Sequence, residues 1–254
     1  MKNKLLLLFF LLGVFFPLSA QESEVLISTS HTSLLLSTSQ GGELKFLYYG
    51  RKLTDADVHA IVSTESGSFS AYPVYGLNCP SESALSVQHE DGNMTLQMEV
   101  IGVETTHQEK ANLTVISLKD KVYPFYVKLC YKAYQDVDVI EAWTEISHKE
   151  KKNVKLNQFA SAYLPVRKGN VWLSSLYGAW ANEARLVQEP LEPGMKVIKN
   201  KDGVRNSHTA HAEVMFSLDG QPRENSGRVI GAALCYGGNY KLRIDTDESE
   251  YHHF

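Results

Sequence analysis

The sequence predicts an all-β protein in which two large antiparallel sheets pack face to face. Three observations carry that expectation. Apolar residues recur with a period of two along most of the chain. Short turn-forming clusters separate the alternating runs: Gly41-Gly42, Glu90-Asp91-Gly92, Lys201-Asp202-Gly203, Asp219-Gly220 and Gly237-Gly238-Asn239. No stretch keeps the 3.6-residue period of a long amphipathic helix.

The elements follow in order. Val25 to Thr29, Leu34 to Ser37 and Glu43 to Tyr49 are short β-rich runs bounded by Ser, Thr and Gly. Asn93 to Thr105 and Leu113 to Leu118 follow. From Val122 to Tyr134, Phe125, Val127, Leu129 and Tyr131 share one face, and Tyr126, Lys128, Cys130 and Lys132 the other. From Val137 to His148, Ile140, Ala142, Thr144 and Ile146 face inward while Glu141, Trp143 and Glu145 face outward. Val154 to Val166, Val171 to Tyr177, Glu213 to Leu218, Arg228 to Tyr236 and Tyr240 to Ile244 complete the strands. Ala181 to Val187 reads as one or two helical turns at most, and Pro193-Gly194 restarts a strand.

The chain has 254 residues. Lys2 and Lys4, the apolar run Leu5 to Phe16 and the ending Pro17-Leu18-Ser19-Ala20 form a secretory leader, with cleavage expected after Ala20 and a secreted or periplasmic destination. The apolar run is too short to span a bilayer of roughly 30 Å. Gln21 follows where a lipid-attachment cysteine would stand. Residues 21–254 then form one domain, large enough to sustain a core without covalent staples. The net charge of -4 is spread over interspersed charges, which excludes a nucleic-acid footprint. Three cysteines, Cys79, Cys130 and Cys235, allow one disulfide at most. Cys130 and Cys235 fall inside strand patterns and read as buried free thiols.

Candidate chemistry is sparse. Glu141 and Glu145 share a strand face, but four residues of strand separate their Cα atoms by about 13 Å. Paired glycosidase carboxyl groups stand about 5 to 9.5 Å apart. His208 and His211 point to opposite faces of an extended chain, and His252-His253 lie at the terminus, where disorder is expected, so no metal site is predicted. No nucleophile elbow or phosphate loop is present, and no cofactor is implied. Asn93 and Asn112 head acceptor sequons. Tyr48, Tyr49, Tyr72, Tyr75, Trp172, Tyr177, Trp180 and Tyr236 sit near turns or strand ends, where they serve either as core packing or as flat platforms for sugar rings.

Five stretches, read in order, resemble one known domain: "FLYYGRKL" (46–53), "YPVYG" (72–76), "SLYGAWANEARL" (175–186), "EPGMKVIKNKDGVRNSHTAHAEVMFSLDG" (192–220) and "ENSGRVIGAALCYGGNYKLRID" (224–245). Together they are similar to the N-terminal β-supersandwich, galactose-mutarotase-like in fold, of glycoside hydrolase family 36, the α-galactosidases. The resemblance covers roughly Val25 to Asp245. It implies participation in retaining hydrolysis of terminal α-galactosides, with the two catalytic aspartates on a following (β/α)8 barrel. The family's Lys-Trp-Asp nucleophile segment has no counterpart here: Trp143, Trp172 and Trp180 precede Thr144, Leu173 and Ala181. The expectation is therefore a sandwich without its catalytic barrel, a fragment that is inactive alone, with no catalytic residue of its own.

The resemblance also implies site residues. Around Ala71 to Pro80, Tyr72, Pro73 and Gly76 match the family, but Ala71 replaces an acidic residue and Asn78-Cys79-Pro80 replaces Asp-aromatic-Arg. Tyr75 and Trp180 are the candidates for substrate contact. Tyr72, Asn78, Glu183, Arg205 and His208 are the candidates for an interface with the barrel or a neighbouring subunit. "GAWANEARL" reads as a structural corner facing the barrel rather than as a sugar platform. The expected partners are the barrel, α-galactosides bound through the full enzyme, and a further copy in a homo-oligomer. Two alternatives stay open: a stand-alone carbohydrate-binding module and a purely structural oligomerisation domain.

Overall fold

The structure is a computed structural model that describes residues 23–39, 41–64, 69–76, 82–204, 208–246, 248 and 251–254. The leader, Asn78, Cys79 and Arg205 lie outside the described residues.

The first half folds as a sandwich. Strands β1 (Ser23–Ser28), β2 (Thr32–Thr38), β3 (Leu44–Arg51) and β4 (Phe69–Ser70) form one antiparallel sheet in sequence order. Between β3 and β4 runs one helix, α1 (Asp55–Thr64), which the sequence reading placed nowhere. Its start is a reciprocal cap: Thr54 N–H donates to the Asp57 carboxylate at 2.9 Å, and Asp57 N–H donates to Thr54 Oγ1 at 3.3 Å. The Thr54 N–H and, at 2.7 Å, the Thr54 hydroxyl both donate to the Asp57 carboxylate and hold its pKa below the ordinary range. Strand β5 (Leu85–Gln88) comes next. A four-stranded meander then follows: β6 (Met98–His107), β7 (Ala111–Asp120), β8 (Phe125–Tyr134) and β9 (Ile140–His148). The alternation read from the sequence places Phe125, Val127 and Leu129 of β8 in the core, with Ile116 and Leu118 of β7 beside them. They pack against Ile27, Leu34, Leu36 and Phe46 of the first sheet. β10 (Lys155–Phe159) turns back to pair with β5. The expected single strand from Val154 to Val166 is thus broken after Phe159.

The second half forms another sandwich. β11 (Pro165–Arg167), β12 (Trp172–Ala179), β13 (Asn182–Pro190), β14 (Gly194–Asn200), β15 (Ala210–Ser217), β16 (Val229–Ala233), β17 (Tyr240–Thr246) and β18 (Tyr251–His253) divide into two sheets. Their orders are β11-β18-β17-β14 and β13-β12-β15-β16. Leu173, Val214 and Phe216 from one meet Val166, Ile198 and Ile244 from the other. The all-β sandwich class is the observed one. Among the described residues, the expected pair of large sheets is resolved into four four-stranded sheets and the β5/β10 ribbon, around two apolar cores.

Leu164 touches both cores, and the C-terminal segment staples them: Tyr251 of β18 packs on the first, and Phe254, just after that strand, on the second. Phe254 N–H donates to Leu164 O at 3.0 Å. A charged clasp crosses the same junction. Arg243 of β17 pairs with Asp245 at 2.8 Å and with Glu82, which lies ahead of β5 in the first sandwich. Terminal disorder at His252-His253 is therefore not observed. Both rings are buried, because the terminus is an interior strand rather than a tail.

Candidate functional site

The stretch "GAWANEARL" is a β-hairpin, not a helical corner. β12 and β13 pair from Trp172↔Pro190 to Ala179↔Asn182, leaving Trp180-Ala181 as the tip. Ala181 and Ala184 hold φ of 59° and 56°, values that end a right-handed helix before it starts. Between Tyr177↔Arg185 and Ala179↔Asn182 the register slips, so that Glu183 and Ala184 face Gly178 alone. A Cβ on Gly178 would stand 2.6 Å from the Glu183 Cα. Gly178→Ala is expected to destabilise the domain by about 1–3 kcal/mol, since backbone must move to admit the methyl. A thermal melt indistinguishable from the parent's would remove this account of the bulge.

The hairpin lifts Trp180 into solvent at 81 % exposure. Glu183 accepts the Ala181 N–H at 3.1 Å, and Arg185 donates to the Asn182 side chain at 3.0 Å, so both polar groups shape the tip. Behind the hairpin, the outward face of the β13-β12-β15-β16 sheet carries exposed apolar side chains: Leu186 at 59 %, Val229 at 51 % and Met215 at 38 %. Sequence reasoning missed this surface. Alternation shows which residues share a face but not whether that face is covered.

The other candidates scatter. Tyr72 lies in the core of the first sandwich at 5 % exposure, and its hydroxyl donates to Ala160 O at 2.9 Å. Burial pushes its pKa up to about 12. It packs inside this domain, which leaves it little surface for a neighbour. Tyr75 is half exposed on the loop ahead of β5, a different element from the Trp180 hairpin. Gly76 beside it needs its missing side chain: φ is 99°, and a Cβ would sit 2.8 Å from the Thr95 Cα. His208 is half-buried just before β15.

Glu141 and Glu145 stand on the outer face of β9, opposite Lys132 and Lys128 of β8. Tyr134 Oη donates to Glu141 at 3.0 Å, and Trp143 Nε1 to Glu145 at 3.2 Å. They form part of a cross-strand charge ladder, not an acid–nucleophile pair. Among the described residues no group of His, Cys, Asp and Glu is placed to hold a metal ion. Cys130 is buried as expected, whereas Cys235 is exposed, because β16 ends at Ala233 and the chain leaves the sheet edge before reaching it.

The Glycosyl hydrolase family 36 N-terminal domain model matches residues 42–254. The chain belongs to that family. The family 36 domain seen here is 29 % identical over 144 residues to alpha-galactosidase Mel36A of Lactobacillus acidophilus, covering 57 % of this chain and 19 % of that protein. It is 27 % identical over 137 residues to alpha-galactosidase 2 of Pediococcus pentosaceus, covering 54 % of this chain and 19 % of that protein. The chain thus spans about a fifth of the length of these curated relatives. Its fold superimposes on the α-galactosidase of Lactobacillus brevis with a TM-score of 0.81 at 21 % identity, over 94 % of this chain and 36 % of that one. The raffinose complex of the AgaA A355E D548N α-galactosidase from Geobacillus stearothermophilus gives a TM-score of 0.82 at 20 % identity, over 91 % and 36 %. The family 36 domain accordingly supplies a two-sandwich scaffold. The Trp180 hairpin and the apolar face behind it are among its exposed features.

Proposed function

We propose that this domain serves α-galactoside hydrolysis as an exported, non-catalytic support, on which the catalytic part of a family 36 enzyme rests. The observation that carries the reading is the family match over residues 42–254. The exposed apolar face bounded by Leu186, Met215 and Val229 supports it, since a patch of this kind on a sandwich is a surface prepared for a neighbour. The carboxylates of β9 support it from the other side, being tied into a charge ladder with lysines. Glu183 and His208, with Asn78 and Arg205 outside the described residues, are the candidates for the border with that neighbour, and Tyr75 remains the candidate for substrate contact.

Residues 21–254, purified alone, are expected to release no galactose from raffinose. Steady hydrolysis traced to a pair of carboxylates within this chain overturns the proposal. Export is checked by N-terminal sequencing of the mature product, which should begin at Gln21. A second reading, a free-standing sugar-binding module, draws on the exposure of Trp180. Calorimetric titration separates the two. Galactoside binding by the isolated domain that disappears in Trp180→Ala favours the module, and a flat isotherm favours the support.

A further inference from the structure

We propose that β13 is a self-complementary edge, through which two copies of this chain pair antiparallel about Val187. The strand lies at the end of its sheet, hydrogen-bonded to β12 alone. From Asn182 to Val187 it is exposed at every residue, Leu186 and Val187 included. An exposed strand of this length presents a row of backbone donors and acceptors that a second strand can satisfy.

The charges select both the partner and the register. A two-fold axis perpendicular to the sheet keeps each side chain on its own face, so some residue of β13 must meet its own copy. Centring on Leu186 sets Glu183 against Glu189, and centring on Arg185 sets that guanidinium against itself. Centring on Ala184 joins Glu183 to Arg185 but falls on the bulge, where Ala184 has φ 56° and the ladder is interrupted. Centring on Val187 sets Arg185 opposite the second copy's Glu189, and by symmetry repeats that contact on the other side. It uses the stretch from Arg185 to Glu189, where the pairing with β12 is regular, and it stops at Pro190, which has no N–H to donate. The two valines meet at the centre.

The other edges lack this pattern. Among the described residues, β14 carries Lys196 and Lys199 with no acid, and β9 would bring Glu141 against Glu145. β6 has Glu99 and Glu104 without a lysine or arginine. Only β13 holds both signs on one face at a spacing that a two-fold axis can match. The local partners of the two charged groups do not oppose the pairing. Arg185 gives one guanidinium nitrogen, Nη1, to Asn182, and Glu189 receives Lys196 at one oxygen, Oε1. The pairing leaves the outward face of the sheet open, so it does not depend on the supporting role proposed above.

A contact of one strand pair belongs to the small interface class, below about 1,200 Å², and the dimer is therefore expected at micromolar protein. The test is sedimentation equilibrium of the full chain across that range, with far-UV circular dichroism melts as the folding control. Arg185→Glu and Glu189→Arg are each expected to weaken dimerisation about 10-fold or more, because each places like charges opposite twice. The double variant R185E/E189R restores the unlike pairs and should recover the parent constant to within about 3-fold. A parent that remains monomeric, a dimer indifferent to both single reversals, or a double variant as weak as the singles overturns the proposal.

Discussion

Asp120→Ala is expected to lower the free energy of unfolding by about 4 kcal/mol. Asp120 ends β7 at 1 % exposure. Its carboxylate accepts three backbone N–H groups: Gln97 at 2.6 Å, Val122 at 2.9 Å and Tyr123 at 2.8 Å. One carboxylate thus shapes the β7–β8 turn and fastens the approach to β6. Alanine removes the acceptor of all three N–H groups, and hydrogen bonds to a charged carboxylate are worth about 1.5–3 kcal/mol each. Asp120→Asn keeps one carbonyl oxygen for Val122 and Tyr123 but turns an amide NH2 toward Gln97, so a loss of about 2 kcal/mol is expected. Urea unfolding followed by far-UV circular dichroism measures both. A drop below about 1 kcal/mol for the alanine variant would show that the turn is held by something else.

The second large effect depends on pH. His252 is 2 % exposed in β18, with Nδ1 bonded to Thr246 Oγ1 at 2.7 Å and Nε2 without a partner among the described residues. Burial, and then the nearby Lys168 and His253, lower its pKa from 6.5 to about 4. The sign follows from proton counting. Above pH 6.5 neither the folded nor the unfolded chain protonates this ring. Between pH 6.5 and about 4 the unfolded chain binds a proton that the folded one refuses, so stability falls as pH falls. At about 1.4 kcal/mol per factor of ten, the whole loss is at most about 3.5 kcal/mol and is complete below pH 4. Because β18 joins both cores, the loss should appear as one global transition rather than as fraying. Unfolding free energies of the parent and His252→Gln, measured from pH 7 to pH 4, test this. The variant should show the shallower slope, and parallel slopes would assign the acid sensitivity to other groups.

Much of the site region was written in local sequence, and the misreadings have local causes. "TDAD" at the start of α1 is a capping box, a legible local signal, but the helix it opens is weakly amphipathic, with Val58 its buried residue. "GAWANEARL" offers good helix formers, yet Gly178 admits a bulge, two alanines take positive φ and β12 supplies a ladder. Pairing overrode propensity there. Cys235 follows an alternating pattern that simply outlasts its strand. His252 and His253 read as a tail because nothing within a few residues shows that β17 and β11 wait on either side.

By itself the sequence determined the class of fold, the inward faces of strands such as β7 and β8, and the family, because alternation, turn chemistry and short motifs are all properties of neighbours in the chain. Only the tertiary structure decided that the strands close into two sandwiches, that the last strand binds them together, and that β13 is left with a free edge beside an open apolar face. Those outcomes depend on which distant strands pair, and on what remains uncovered once they have done so.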